Sequence, residues 1–152
     1  MIVVADTSPL NYLLLIDEID LLPAMFGQVL IPQTVLQELR HPKTTPAVRQ
    51  WLSHLPAWLE VRTVSATINP ALMDLDVGER DAIQLALDLG VTTVLIDNAL
   101  GRQHAERLHL EVRGTLGILE RGARIGKVNL RNALSKLDQA NFRMSPASAR
   151  LF

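Results

Sequence analysis

The sequence predicts an α/β domain, with a parallel sheet covered by helices on both faces. Three observations carry this. Short apolar, β-branched runs, such as IVVA at residues 2–5 and VLI at residues 94–96, alternate with longer stretches of helical periodicity. Helix-opening and helix-closing residues fall between them: Ser8-Pro9, Asp76, Gly90 and Asn129. Strand–helix alternation repeated along a chain folds as a parallel sheet, because each crossover helix packs back onto a face of it.

The elements follow in order. Residues 2–5 form the first strand, ended by Asp6-Thr7-Ser8-Pro9. Ser8 and Pro9 suit an N-cap and a first helical residue, so a helix runs over 10–16. Residues 20–26 read as a second short helix and 28–31 as a strand. Pro32 opens the next helix, which carries Val35, Leu36, Glu38 and Leu39; Pro42 stops it, having no N–H to continue the ladder. Residues 46–54 read as helix and 59–64 as strand. Asp76-Val77-Gly78-Glu79 is a capping box that starts a helix through Leu89, closed by Gly90. A buried strand over 91–96 and a helix over 100–108 follow, then a short last strand over 111–113. Two helices come next, at 116–124 and 130–139. Asn129 caps the second, whose Leu130, Ala133, Leu134 and Leu137 share one face. Ser145-Pro146 starts a short terminal helix.

At 152 residues the chain is expected to be one domain with a sizeable core. Hydrophobic residues at 48% and charged residues at 20% exclude a disordered chain, and no apolar run approaches a bilayer span. Cysteine is absent, which excludes disulfides, thiolate catalysis and sulfur-ligated zinc. MIVVADTS has neither a basic lead nor a small-residue cleavage site, so no signal peptide and a cytoplasmic location are expected. Charge is divided along the chain. Residues 1–100 hold 12 acids against 5 Lys/Arg, and residues 101–152 hold 10 Lys/Arg against 4 acids. Such a division suits an enzyme that holds metal with one surface and phosphates with another.

The acids carry the chemistry. Asp6 and Asp97 each follow an apolar strand directly, and Glu38 and Glu79 sit on the helices after strands. These positions face the crevice outside the carboxyl ends of the strands, where open α/β sheets bind ligands. Converging carboxylates repel each other unless a proton or a cation intervenes, and a hard divalent ion such as Mg²⁺ prefers oxygen ligands. Metal-assisted hydrolysis is the reaction class indicated. A phospho-aspartate mechanism needs a second Asp two residues after the first, where Ser8 stands. Glu79 heads the core-facing stripe of Ala82, Ile83, Ala86 and Leu87, whereas Asp81 shares a wetter flank with Gln84 and Asp88. Arg102, on the helix after Asp97, is placed to reach a phosphate. His41, His54, His104 and His109 lack ligand spacing, and no phosphate-cradling glycine loop, G-x-S-x-G or H-E-x-x-H occurs.

Taken together, strand-D-T-S at the N-terminus, a helical Glu some thirty residues on, G-E-x-D-A-I and V-L-I-D-N resemble PIN-domain ribonucleases. The stretch Asp97-Asn98-Ala99-Leu100-Gly101-Arg102 is similar to the prokaryotic branch encoded beside small antitoxin-like partners. The resemblance implies a three-layer α/β/α sandwich with a mostly parallel sheet. It would be a single domain over 1–152, with 116–152 a helical extension packed on it. It further implies Mg²⁺- or Mn²⁺-dependent cleavage of RNA by the toxin of a toxin–antitoxin pair, with a homodimer and a small antitoxin as partners. Asp6, Glu38, Glu79 and Asp97 match the catalytic and metal-holding acids, with Asp81 assisting. Thr7, Ser8, Asn98 and Arg102 stand in substrate-binding places. Two departures are visible: many relatives have Asp where helix register here places Glu79, and Asn98 occupies a place often acidic. They keep open a non-catalytic, nucleic-acid-binding regulatory domain of the same fold. A third reading, a domain for a small phosphorylated ligand, has the missing glycine loop against it. Phe142, Met144, Leu151 and Phe152 put apolar side chains near the chain's end, where an interface is expected.

Overall fold

Five strands form one sheet in a computed structural model that describes residues 1–142. They are β1 (Ile2–Ala5), β2 (Gln28–Pro32), β3 (Leu59–Arg62), β4 (Thr93–Leu95) and β5 (Glu111–Arg113). Their order is β3-β2-β1-β4-β5, and every neighbouring pair is parallel. Among the described residues the helices are α1 (Thr7–Leu15), α2 (Leu21–Met25), α3 (Gln33–Leu39), α4 (Pro46–Leu52), α5 (Val77–Leu89), α6 (Ala99–Arg107), α7 (Thr115–Arg124) and α8 (Leu130–Gln139). The chain leaves β1 toward β2 and β3, then crosses back through α5 to β4 on β1's other side. The strand order therefore reverses between β1 and β4, the place where open α/β sheets hold ligands.

Alternation along the strands makes two cores. Val3, Ala5, Val29, Ile31 and Leu95 pack on one face with residues of α1, α2, α3, α4, α7 and α8. Val4, Leu30, Val94 and Ile96 pack on the other with α5, Ala105 of α6, and Leu72 and Leu75. The expected three-layer α/β/α sandwich is thus present, with a sheet that is wholly parallel. None of the helices among the described residues is long and apolar enough to cross a membrane.

Several boundaries differ from the sequence reading, each for a physical reason. The first helix starts at Thr7 with Asp6, not Ser8, in the N-cap place; Pro9 fits inside the first turn because the first N–H groups of a helix have no partner to lose. Pro32 ends β2 and precedes α3 rather than opening it. β3 stops at Arg62, the partner of Pro32, because no neighbouring strand remains beyond that pair. Val91 belongs to the turn after α5: Gly90 takes φ 68° and the Val91 N–H bonds the Ala86 carbonyl, so β4 begins only at Thr93. At the other end of the chain, Phe142 meets Tyr12 edge to face at 4.8 Å between ring centroids. The terminal helix expected from Ser145-Pro146, and the tail residues Met144, Leu151 and Phe152, lie outside the described residues.

Candidate metal centre

Asp6 and Asp97 flank the point where the strand order reverses. The Asp6 N–H donates to the Leu95 carbonyl at 2.9 Å, which stitches the end of β1 to β4. Asp6 holds an extended backbone, φ −84° and ψ 174°, and its side chain makes no capping bond to α1. The buried carboxyl is left to the crevice. Asp97 is fixed from the opposite side. Thr115, the first residue of α7, donates its backbone N–H to Oδ1 and its hydroxyl to Oδ2, both at 2.7 Å. Thr115 is absent from the sequence-based site. Its signal is positional: Gly114-Thr115 follows the last strand as Asp6-Thr7 follows the first.

Two helices bring the other acids. Glu38, in the last turn of α3, accepts a hydrogen bond from the Thr7 hydroxyl at 2.5 Å. Glu79 is buried near the start of α5, and its N–H donates to Asp76 Oδ1 at 2.9 Å, half of the expected capping box. The reciprocal half does not form. Besides burial, the Asp76 charge instead acts on the Glu79 carboxyl and raises it, so Asp76 joins the crevice acids. The sequence reading gave Asp76 only a capping role, which hid this second one.

Asp81 corrects the sequence reading. Its flank of α5 is not wet, because α3 packs there: Asp81 is buried, accepts from the Thr34 hydroxyl at 2.9 Å and pairs with Arg80 at 3.2 Å. Asp81 therefore ties α5 to α3. Asn98 is likewise engaged locally, its Oδ1 capping α6 by accepting from the N–H groups of Leu100 and Gly101. Ser8 is half-buried in the first turn of α1.

The electrostatics follow from burial and crowding. Burial, then the charges of Asp76, Glu38 and Asp97, push the Asp6 carboxyl up to about 7, against the opposing pull of the Thr7 N–H. Burial, Asp76 and Asp6 push Glu79 up to about 8. Burial also raises Asp97, while the Thr115 bonds and Arg102 oppose the rise. The crevice thus draws protons near neutral pH, and would draw a cation in their place. An all-oxygen carboxylate set suits Mg²⁺ or Mn²⁺ by ligand type. Yet no three Asp, Glu or His among the described residues are set to hold one ion together; Glu38 accepts from Thr7, and Asp97 from Thr115.

Of the basic residues, Arg102 stands by the site, its charge acting on Asp97. Arg121 and Arg124 close α7, whose first residue holds Asp97; at about 1.5 Å per residue they stand about 9 Å and about 13.5 Å along the helix axis from that residue. His104 bridges the Leu100 carbonyl and Asp74, each at 2.9 Å, and so ties α6 to the loop before α5.

A family model described as DUF3368, PIN domain, matches residues 2–151. No curated protein and no solved structure matches the chain.

Proposed function

The chain belongs to the PIN-domain family, and on that premise we propose that it is a divalent-metal-dependent endoribonuclease, the toxin of a toxin–antitoxin pair acting in the cytoplasm. PIN domains are nuclease-type folds. One observation carries the reading: carboxylates from β1, α3, α5 and the end of β4 converge at the switch point of a parallel sheet, with Asp6 and Glu79 held protonated near neutral pH by burial and mutual repulsion. Asp6, Glu38, Glu79 and Asp97 would hold Mg²⁺ or Mn²⁺, with Asp76 beside them in the assisting place that the sequence reading gave to Asp81. When bound, the ion activates a water and polarises the scissile phosphate.

The chain's own groups do the rest. Thr7 orients Glu38 and Thr115 orients Asp97 for the ion. Arg102, the cation beside Asp97, takes the RNA phosphate, and Ser8 lies in the same turn as Thr7 to steady a bound water or phosphate. Asp81 keeps α5 in register with α3. The reading keeps one domain over 1–152, with α7 and α8 in its helical extension, and takes a second copy and a small antitoxin as partners. Light scattering on the full chain and on a truncation after Asn141 tests the dimer; a full-length monomer at tens of micromolar sinks it.

Cleavage of RNA in Mn²⁺ or Mg²⁺, lost in Asp6→Asn and Asp97→Asn, tests the main reading. A second reading, a regulatory domain that binds RNA without cutting it, draws on the acids being turned onto protein hydroxyls. RNA binding without cleavage in saturating Mn²⁺ establishes that reading instead.

A further inference from the structure

The chain has 8 glycines, and three of them stand where a side chain would fall on a crevice carboxylate. At Gly78, in the first turn of α5, a Cβ would lie 2.5 Å from Glu38 Oε1 and 2.9 Å from its Oε2. At Gly101 of α6 it would lie 3.2 Å from Glu79 Oε2, with the Ile96 side chain at 3.1 Å. At Gly114, between β5 and α7, it would lie 3.0 Å from Asp97 Oδ1 and 3.3 Å from Arg102 Nη1. Backbone conformation does not call for glycine at these places, because φ is positive only at Gly27, Gly90 and Gly126 among the glycines. At Gly78 and Gly101 helix propensity argues against it, since glycine within a helix is less stable than alanine; Gly114 is the N-cap of α7, where glycine is accepted but not required. Space is the remaining reason. The contrast is Gly117, also helical, where a Cβ meets nothing within 4 Å.

We propose that Gly78, Gly101 and Gly114 are positioning residues, each leaving open the volume that one crevice carboxylate occupies. Three separate elements thereby seat three of the acids, and Asp6 alone is placed by its own strand. The sharpest case is Gly78, because the atoms its Cβ would strike are the far end of a flexible side chain. An alanine there leaves the backbone in place and pushes the Glu38 carboxylate off its seat and off the Thr7 hydroxyl. The fold survives, and the site is what changes.

The consequence for metal rests on the nuclease reading, whereas the seating does not, and the test separates the two. In thermal-shift titrations with Mn²⁺ alone, Gly78→Ala weakens binding by about 10–100-fold, the range for losing an orienting partner. Gly117→Ala leaves it within about twofold of wild type, having no orienting partner to lose. Glu38→Asp, a methylene shorter, weakens binding in the Gly78 protein but restores it in the Gly78→Ala protein. Without metal, Gly78→Ala raises the melting temperature by about 2–4 °C in a Glu38→Ala background, where only helix propensity acts, and fails to raise it where Glu38 is present. Equal shifts in the two backgrounds overturn the seating, as does wild-type Mn²⁺ affinity in Gly78→Ala. A wild-type protein indifferent to Mn²⁺ removes the nuclease reading and leaves the stability cycle to decide the seating by itself.

Discussion

Asp6→Asn makes the protein more stable in the absence of metal, by an amount that grows with pH. The folded chain holds the Asp6 carboxyl near 7 against an ordinary 3.8, so between those values the folded state keeps a proton that the unfolded state has released. Stability therefore falls as pH rises across that window and levels off above it. At about 1.4 kcal/mol per pH unit the full loss is about 4 kcal/mol, an upper bound because the crevice acids share their repulsion. Asparagine has no proton to lose and keeps an oxygen for the Thr7 N–H. The variant is thus near wild type at pH 4 and about 2–4 kcal/mol more stable at pH 8, or about 5–15 °C in melting temperature for a chain of this size. Thermal unfolding followed by circular dichroism in EDTA, from pH 5 to pH 8, measures the difference. Adding Mn²⁺ at pH 7.5 narrows or reverses it, because the ion stabilises only the chain that keeps the carboxylate. Parallel stability curves for the two proteins across this range would mean that Asp6 is not crowded and buried as described.

Other substitutions separate neighbouring roles. Thr115→Val removes the hydroxyl bond to Asp97 Oδ2 and so raises the Asp97 proton affinity further, with a stability loss of about 1–2 kcal/mol that is larger at pH 8 than at pH 5 in urea titrations. Glu79→Gln impairs metal-dependent RNA cleavage more than Asp81→Asn does, whereas Asp81→Ala loses about 1–3 kcal/mol of stability through the abandoned Thr34 hydroxyl, with Mn²⁺ affinity little changed. Equal cleavage losses in the first pair would place Asp81 in the crevice. Arg102→Ala weakens RNA binding and lowers the salt slope by about one phosphate contact, read from binding isotherms between 50 and 200 mM salt. An unchanged slope would put the RNA backbone elsewhere.

Strands β1, β2 and β4 were legible because each is an apolar run that is buried, and strand ends were less so because pairing decides them. Nothing local in residues 59–64 says that β3 stops at Arg62; the turn of β2 into α3 after Pro32 does. Ser8-Pro9 is a good cap signal that lost to Asp6, which follows the strand directly. Asp6 lies within reach of the charges of Glu38 and Asp97, and Glu79 within reach of Asp6 and Glu38. Two features were not readable. Whether the Asp81 flank of α5 is wet depends on Thr34, 47 residues away. Asp76 had a complete local explanation as a cap, and only the folded geometry aims the Glu79 carboxyl at it.

The position of β1 at the middle of the sheet has a consequence for timing. Its first neighbour, β2, follows within thirty residues, but Val4 must wait for Val94 to complete the other side, and Asp97 waits longer still for Thr115. At about 5–20 residues per second of synthesis, the ribosome releases Val94 some 5–20 s after Val4. Throughout that interval the Asp6 N–H lacks the Leu95 carbonyl and the crevice has no second wall. On the proposed nuclease reading, activity is thereby withheld from the nascent chain by strand order alone. Arrested chains that expose residues only to 110 should accordingly show no Mn²⁺-dependent protection of β1 from proteolysis, and chains that expose α7 should show it.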